Sequence, residues 1–123
     1  MTSCIAQVAI DASDVEVVAR FWRDVLGWQE LERDEGIISI GPPDGSGPGI
    51  DVIRVPEPKS LKNRLHLDLR ADGSSTEQEL ARLLALGARR ADVGQAPDVS
   101  WTVLTDPEGN EFCLLGTPAG STA

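Results

Sequence analysis

The chain has 123 residues, of which 41% are hydrophobic, and a formal net charge of -9. This length suits one domain with a sizeable core. The negative charge argues against binding to nucleic acid or to anionic membranes, because clustered lysine and arginine hold those partners. No apolar run approaches the roughly 20 residues that span a bilayer. The N-terminus has no secretory signal, so we expect a cytoplasmic protein.

The two cysteines of the chain are Cys4 and Cys113. A reducing cytoplasm keeps thiols free, and there is no cysteine-rich framework, so the sequence predicts two buried thiols rather than a disulfide. The absence of a Cys-x-x-Cys motif argues against a structural zinc site.

The first half of the chain is predicted to form a strand, a helix and three further strands. An N-cap at Ser13 and a stop at Gly27 delimit a helix over Asp14–Leu26. Its apolar residues recur at three- and four-residue spacing, as on a helix that covers a sheet, and Trp22 on this stripe is predicted to be core. Apolar runs between turn-forming residues define the strands. These are Ser3–Asp11, Trp28–Arg33, Ile37–Ile40 and Ile50–Val55.

The second half repeats this order. Asn63–Arg70 alternates apolar and polar residues, which predicts a strand with its leucines on one face and His66, the single histidine of the chain, on the other. Leucines at helical spacing predict a helix over Thr76–Leu86 that ends at Gly87. Turn-forming residues separate the remaining strands. These are Ala88–Val93, Ser100–Thr105 and Glu111–Leu115.

Both halves therefore have the order βαβββ, and the helix exits Leu26-Gly27 and Leu86-Gly87 occupy equivalent places. We interpret this as an internal duplication within a single domain, 1–123, with pseudo-repeats at about 3–55 and 62–116. One such unit is too small to bury its own sheet well, so two are expected to pack together.

Three segments resemble the vicinal oxygen chelate superfamily, which includes glyoxalases, bleomycin resistance proteins and dioxygenases. They are Lys62 to Leu69 with its His-Leu-Asp-Leu sequence, the helix exit Leu86-Gly87-Ala88, and Trp101 followed by Asp106 to Leu114 with Asp-Pro-Glu-Gly-Asn-Glu-Phe. The chain is most similar to bacterial glyoxalase-like domain proteins. The resemblance implies an α+β fold in which the mixed sheets of two βαβββ modules curl around a cavity, and a homodimer. It does not identify the reaction, because this scaffold hosts many activities.

Strand parity, combined with the implied fold, predicts a polar cluster on the cavity side. The residues expected to face the helices are Leu65, Leu67, Leu69, Phe112 and Leu114. The residues expected to face the cavity are Gln7, His66, Asp68, Trp101, Val103, Glu111 and Cys113.

The resemblance also implies positions for the ligands of a divalent metal. They carry over to His66 and Glu111, and Gln7 stands where a first-strand ligand is common. An imidazole and a carboxylate suit iron, manganese, nickel or zinc. The amide of Gln7 is a weaker donor, and Asp51 is an alternative on a strand whose register the sequence leaves open.

Two hypotheses follow for the function. The first, which the incomplete ligand set favours, is a cavity between the modules that binds a small organic ligand without a full metal site. Its predicted lining is Gln7, His66, Trp101, Glu111 and Cys113, with Trp101 as a stacking wall. The alternative is a metal-dependent lyase or dioxygenase in which His66 and Glu111 ligate the ion and Glu111 is catalytic.

Plainer structural roles compete with these hypotheses. His66 could be a cavity-wall histidine hydrogen-bonded to Glu111 or Asp68. Asp68 itself is expected to be exposed or paired with Arg64 or Arg70. Cys113 is expected to be an inert thiol, because no neighbouring base lowers its pKa.

Overall fold

The computed structural model describes residues 1–91 and 100–120, and the chain divides into two units, Met1–Lys59 and Ser60–Ala123. Within these described ranges, each unit contains one helix and one four-stranded mixed sheet in the order βαβββ. The predicted α+β class and element order are confirmed, and neither sheet closes into a barrel within the described residues. The limits of the pseudo-repeats and the cavity between the modules stay predictions. None of the described helices is long and apolar enough to cross a membrane.

The first unit contains the helix α1 and the strands β1 to β4. Their bounds are β1 (Gln7–Ala12), α1 (Val15–Leu26), β2 (Gln29–Asp34), β3 (Ile37–Gly41) and β4 (Gly49–Arg54). The sheet order is β1-β4-β3-β2, in which β1 is parallel to β4 and the other pairs are antiparallel. The predicted strands Trp28–Arg33 and Ile37–Ile40 correspond to β2 and β3 and pair as an antiparallel hairpin, whereas the first strand begins at Gln7 rather than Ser3.

The ends of α1 are set by local capping. The predicted N-cap at Ser13 is wrong by one residue: the side chain of Asp14 accepts the Val17 N–H at 3.3 Å. Gly27 ends the helix with φ 66°, a left-handed conformation that glycine adopts without steric cost. The helix packs on β3 and β4. Trp22, only 1% exposed, makes an edge contact with Phe21 and lies in the core, as predicted.

The register of β4 answers the question that the sequence leaves open. Asp51 pairs with Ala9 of β1 and with Ser39 of β3. Ile50 and Val52 are buried in the core. Since side chains alternate along a strand, Asp51 lies on the face of the sheet opposite to that core.

The second unit contains the helix α2 and the strands β5 to β8. Their bounds are β5 (Leu67–Leu69), α2 (Thr76–Leu86), β6 (Arg89–Arg90), β7 (Thr102–Thr105) and β8 (Glu111–Leu114). The sheet order is β5-β8-β7-β6, again with one parallel pair, β5 and β8. The helix matches its predicted range, and Ser75 and Gln78 form a capping box at its start. The end of the predicted strand Ala88–Val93 lies outside the described residues.

The predicted strand Asn63–Arg70 is shortened to three residues, and the placement of Leu65 in the core is wrong, because Leu65 is 89% exposed. In the parallel pair, Leu67 lies opposite Phe112, so Leu65 would need Asn110 as its neighbour. Asn110 instead belongs to the turn before β8, where its N–H donates to Asp106 at 3.0 Å. The turn therefore removes the partner that a longer strand would need.

The two cysteines are both free thiols, but they differ in burial. Cys113 lies on β8 and is buried, as predicted. The prediction of a buried Cys4 is wrong: Cys4 precedes β1, has no sheet neighbours to cover it, and is exposed.

Candidate functional site

The candidate site lies on one face of the second sheet. The strand β8 runs between β5 and β7, and its Cys113 pairs with Asp68 on one side and with Val103 on the other. Phe112 and Leu114, the neighbours of Cys113 along β8, are buried and point to the opposite face. Strand alternation therefore separates an apolar core face from an open face that carries Asp68, Val103 and Cys113.

A tight turn fixes where β8 begins. Asp106, 1% exposed, accepts the backbone N–H groups of Glu108 and Asn110 at 2.9 and 3.0 Å. Its second oxygen accepts the side-chain amide of Asn110 at 2.9 Å. Gly109 has φ 92°, which favours glycine at this point of the turn. The Asp-Pro-Glu-Gly-Asn sequence thereby determines the position of Glu111, the first residue of β8.

A pocket of about 310 Å³ opens on this face. Its apolar wall consists of Trp101, Val103 and Leu115. Its polar lining consists of Lys62, His66, Asp68, Glu111 and Cys113. Trp101 is 40% exposed, so part of its indole surface is accessible to a ligand.

His66 and Asp68 form a pair in this lining. Nε2 of His66 lies 3.1 Å from Oδ1 of Asp68, and the two side chains are 42% and 50% exposed. They share one face because they are two residues apart in an extended segment. A neutral imidazole that donates from Nε2 presents Nδ1 as an acceptor. The pair therefore offers a ligand both an acceptor nitrogen and a carboxylate.

Cys113 is the buried member of the lining. Burial raises the pKa of its thiol, and the negative charge of Asp68 and the hydrogen bond from the thiol to Asp68 raise it further, against the opposing charge of Lys62. Desolvation and a nearby anion both disfavour the thiolate. Cys113 is therefore a protonated donor to Asp68 at neutral pH, rather than a nucleophile.

Glu111 lines the same pocket, and the segment that precedes β5 holds its carboxylate. Oε1 of Glu111 accepts the backbone N–H of Asn63 at 2.8 Å, and the side chain is half-buried. This hydrogen bond joins the start of β8 to the irregular segment that carries Lys62. The carboxylate is thus fixed at the pocket by a backbone donor.

Three residues of the lining could hold a metal ion. In the described part of the chain, His66, Asp68 and Cys113 each offer one ligand atom, and these atoms lie within 4.8 Å of one another. The 3.1 Å between Nε2 and Oδ1 is close to the roughly 3.3 Å between two ligands that each lie about 2.0 Å from a tetrahedral ion. Imidazole, carboxylate and thiolate suit zinc, nickel or iron. The residues therefore fit a divalent cation once the thiol loses its proton.

Gln7 belongs to the first unit, where it is part of a hydrogen-bonded row. Its side-chain amide donates to Oδ2 of Asp51 at 2.9 Å, and the Ser39 hydroxyl donates to Oδ1 at 2.7 Å. Both carboxylate oxygens of Asp51 thus have a donor within the first unit. The roles of Gln7 and Glu111 as metal ligands stay predictions, and neither residue belongs to the group of three found within the described residues.

Four of the predicted site residues meet at the pocket of the second unit: His66, Trp101, Glu111 and Cys113. Sequence reasoning did not indicate Lys62, because its segment has no regular structure and hence no periodicity. Asp68 is exposed, one of its two predicted states, and it pairs with His66, for which it is one of the two predicted partners, rather than with an arginine. The signal for that pair was present in the two-residue spacing, which places both side chains on one face.

The family model of the Glyoxalase-like domain matches residues 7–115. A search of the curated proteins finds no match.

Solved structures with the same fold come from several bacteria. A glyoxalase/bleomycin resistance protein/dioxygenase family enzyme from Burkholderia phytofirmans PsJN is 22% identical with a TM-score of 0.64, over 89% of this chain and 94% of that chain. A glyoxalase-related enzyme from Fulvimarina pelagi is 19% identical with a TM-score of 0.67, over 93% and 88%. A mutant of the fosfomycin resistance protein FosX from Listeria monocytogenes, complexed with Mn(II) and 1S,2S-dihydroxypropylphosphonic acid, is 13% identical with a TM-score of 0.69, over 97% and 94%. At these identities the likeness shows the fold alone.

Proposed function

Because this chain belongs to the glyoxalase-like domain family, we propose that it binds a small organic molecule in the pocket of its second unit. The observation that carries this proposal is the division of the pocket into an apolar wall and a polar lining. Binding sites for small molecules combine these two kinds of surface, since apolar contacts supply affinity and a few polar groups fix the orientation.

The size of the pocket limits the ligand. Its volume of about 310 Å³ lies at the lower end of the range of roughly 300 to 1,000 Å³ for small-molecule sites. A compact molecule, such as a single substituted ring, is therefore expected rather than a dinucleotide or a polymer.

The residues of the pocket have distinct proposed roles. Trp101 stacks on the flat part of the ligand, because aromatic rings gain affinity from offset stacking as well as from burial. His66 and Asp68 orient its polar part through Nδ1 and the carboxylate. Glu111, fixed by the N–H of Asn63, accepts a hydrogen bond at a defined place. If the bound molecule reacts, Glu111 is the carboxylate proposed to move a proton.

Binding can be followed at a single residue, because the chain has one histidine. We expect hits from a fragment screen to shift the imidazole resonances of His66 and to bind Trp101→Ala about fivefold more weakly than the parent protein, since stacking contributes about 1 kcal/mol. Trp101→Phe keeps a ring and should recover most of the affinity. Hits that bind Trp101→Ala as tightly as the parent, or leave His66 unshifted, would argue against the proposal.

The second candidate function depends on a divalent metal, and the convergence of three ligand atoms within 4.8 Å favours it. His66, Asp68 and Cys113 would hold the ion. A bound divalent ion acts as a Lewis acid that polarises oxygen atoms of a ligand. Around it, Trp101 would exclude water from one side, and Glu111 would accept a proton from the bound molecule. The Mn(II) bound by the FosX mutant supports a metal on this fold.

Calorimetry with zinc, nickel, manganese and iron(II) tests this candidate without an activity assay. His66→Ala and Cys113→Ser should each weaken binding by at least tenfold, because each removes one of three ligands. Glu111→Gln and Gln7→Ala test the ligands that the sequence predicts besides His66. Cys113→Ser tests the group of His66, Asp68 and Cys113. If Glu111→Gln loses metal binding while Cys113→Ser binds as tightly as the parent protein, the ligand set that the sequence predicts is favoured instead. No binding by the parent protein of any of the four ions would reject the candidate.

A further inference from the structure

Lys62 is a charged residue of the pocket that the described part of the chain does not neutralise. It lines the pocket from the irregular segment ahead of β5, and its positive charge acts on the thiol of Cys113. Among the described residues, no carboxylate forms an ion pair or hydrogen bond with its ammonium group. The pocket therefore contains a cation without a counterion from residues 1–91 and 100–120.

The two carboxylates of the pocket already have donors. Asp68 accepts a hydrogen bond from the thiol of Cys113, and Nε2 of His66 lies 3.1 Å from its Oδ1. Glu111 accepts the backbone N–H of Asn63 at 2.8 Å. A cationic ligand would have to compete with these donors for the carboxylates. An anionic ligand would instead pair with Lys62 and leave the existing hydrogen bonds in place.

We propose that the pocket selects conjugated carboxylates, with the acidic group of the ligand at Lys62 and its flat ring against Trp101. This inference rests on the proposed function and adds the chemical class of the ligand to it. Trp101 and Val103 supply the apolar wall that a ring needs. The net charge of -9 disfavours anions at long range, so recognition of a carboxylate depends on a cation inside the pocket.

A panel of aromatic carboxylic acids, each paired with its primary amide, tests this selection. The acid and the amide of one pair have nearly the same shape and differ in charge. With the resonances of His66 as the readout, the parent protein should bind the acids about fivefold more tightly than the amides, as expected for one partly exposed charge pair. Lys62→Gln should remove this preference and retain the affinity for the amides.

Arg64→Gln is the matched control. Arg64 is exposed in the same segment, carries the same charge, and is not among the residues that line the pocket. Its substitution should leave the preference unchanged. Equal affinity of the parent for acids and amides, a preference that survives Lys62→Gln, or an equal loss in both variants would overturn the role of Lys62 and leave the proposed pocket intact. If no member of any pair shifts His66, the proposed function fails and this inference fails with it.

Discussion

The two sheets of the chain have equivalent strand orders, yet one row of paired residues across each sheet carries its acid on a different strand: the rows are Ala9–Asp51–Ser39 and Asp68–Cys113–Val103. In the first sheet the acid is Asp51 on β4, next to Ser39 of β3. In the row of the second sheet, the equivalent strand β8 carries Cys113, and the acid is Asp68 on the parallel neighbour β5. The acid has thus moved from the central strand to the adjoining one.

This difference changes what each acid contacts. Asp51 accepts hydrogen bonds from the side chains of Gln7 and Ser39, one at each carboxylate oxygen. Both donors are neutral groups. Asp68 instead meets an imidazole and a thiol at the edge of a pocket of about 310 Å³. Neutral amides and hydroxyls do not titrate, whereas an imidazole and a thiol exchange protons and bind metals. One topology therefore supports a closed polar surface in one unit and a candidate site in the other.

The helices of the two units also differ, in how many core residues each contributes. The core residues of α1 are Val18, Ala19, Phe21, Trp22 and Val25. In α2 the core residue is Leu83 alone. Because buried apolar area is the main favourable term in folding, the helix of the first unit stabilises its sheet more than the helix of the second unit does. The candidate site thus lies in the unit whose helix is packed less extensively.

Truncation of the helix cores tests this contrast with the largest expected effect. Trp22→Ala removes a fully buried indole and its edge contact with Phe21, and should lower the free energy of unfolding by about 4 kcal/mol. Leu83→Ala should cost about 2 to 3 kcal/mol. Urea denaturation measures both, and Leu84→Ala at the exposed side of α2 is the control. A larger loss for Leu83→Ala than for Trp22→Ala would contradict the contrast.

The next largest effect is expected at the turn before β8. Asp106→Ala removes the acceptor of two backbone N–H groups and one side-chain amide, and should cost about 2 to 3 kcal/mol. It should also shift the backbone amide resonance of Glu111, which this turn positions. Asp106→Asn retains one carbonyl oxygen and should lose less stability. If both variants unfold at the urea midpoint of the parent, the turn does not anchor the site.

The sequence predicts those features that local interactions decide. Helix ends depend on residues within one turn, so Gly27 and Gly87 can be identified directly, and the predicted N-cap at Ser13 is displaced by only one residue. The Asp-Pro-Glu-Gly-Asn turn is also closed by its own side chains. Strand ends depend instead on the neighbouring strand, which is why Leu65 was misplaced: its neighbour in the register belongs to a turn.

The hydrogen-bond partners of the site residues also belong to segments that are distant in the sequence, so local patterns do not predict them. Glu111 accepts from the N–H of Asn63, 48 residues away, in a segment without regular structure. Strand parity predicts a shared face for His66 and Cys113, because that rule needs only the backbone direction, and both residues line the pocket. It could not show that Asp68 would contact Cys113, since this depends on the register of β5 against β8.

The reactivity of Cys113 tests the difference between Asp68 and Asp51. Asp68→Asn removes a negative charge that raises the pKa of this thiol. The pKa should therefore fall, the thiolate fraction at pH 8 should rise, and alkylation by iodoacetamide should become several-fold faster. The measurement uses a Cys4→Ser background, because Cys4 is exposed. Asp51→Asn is the matched control and should leave the rate unchanged, whereas equal acceleration in both variants would contradict a specific effect of Asp68.

The same thiol predicts a smaller effect, a loss of stability at alkaline pH. Burial and Asp68 raise the pKa of Cys113 in the folded protein above its value in the unfolded chain, so the folded state retains a proton that the unfolded state releases. Stability from this group is fully present below the unfolded pKa and decreases as the pH rises through the folded pKa. Cys113→Ser should lessen the alkaline decrease measured by urea denaturation, while Cys4→Ser should not. An identical pH dependence in the parent and Cys113→Ser would show that other groups cause the decrease.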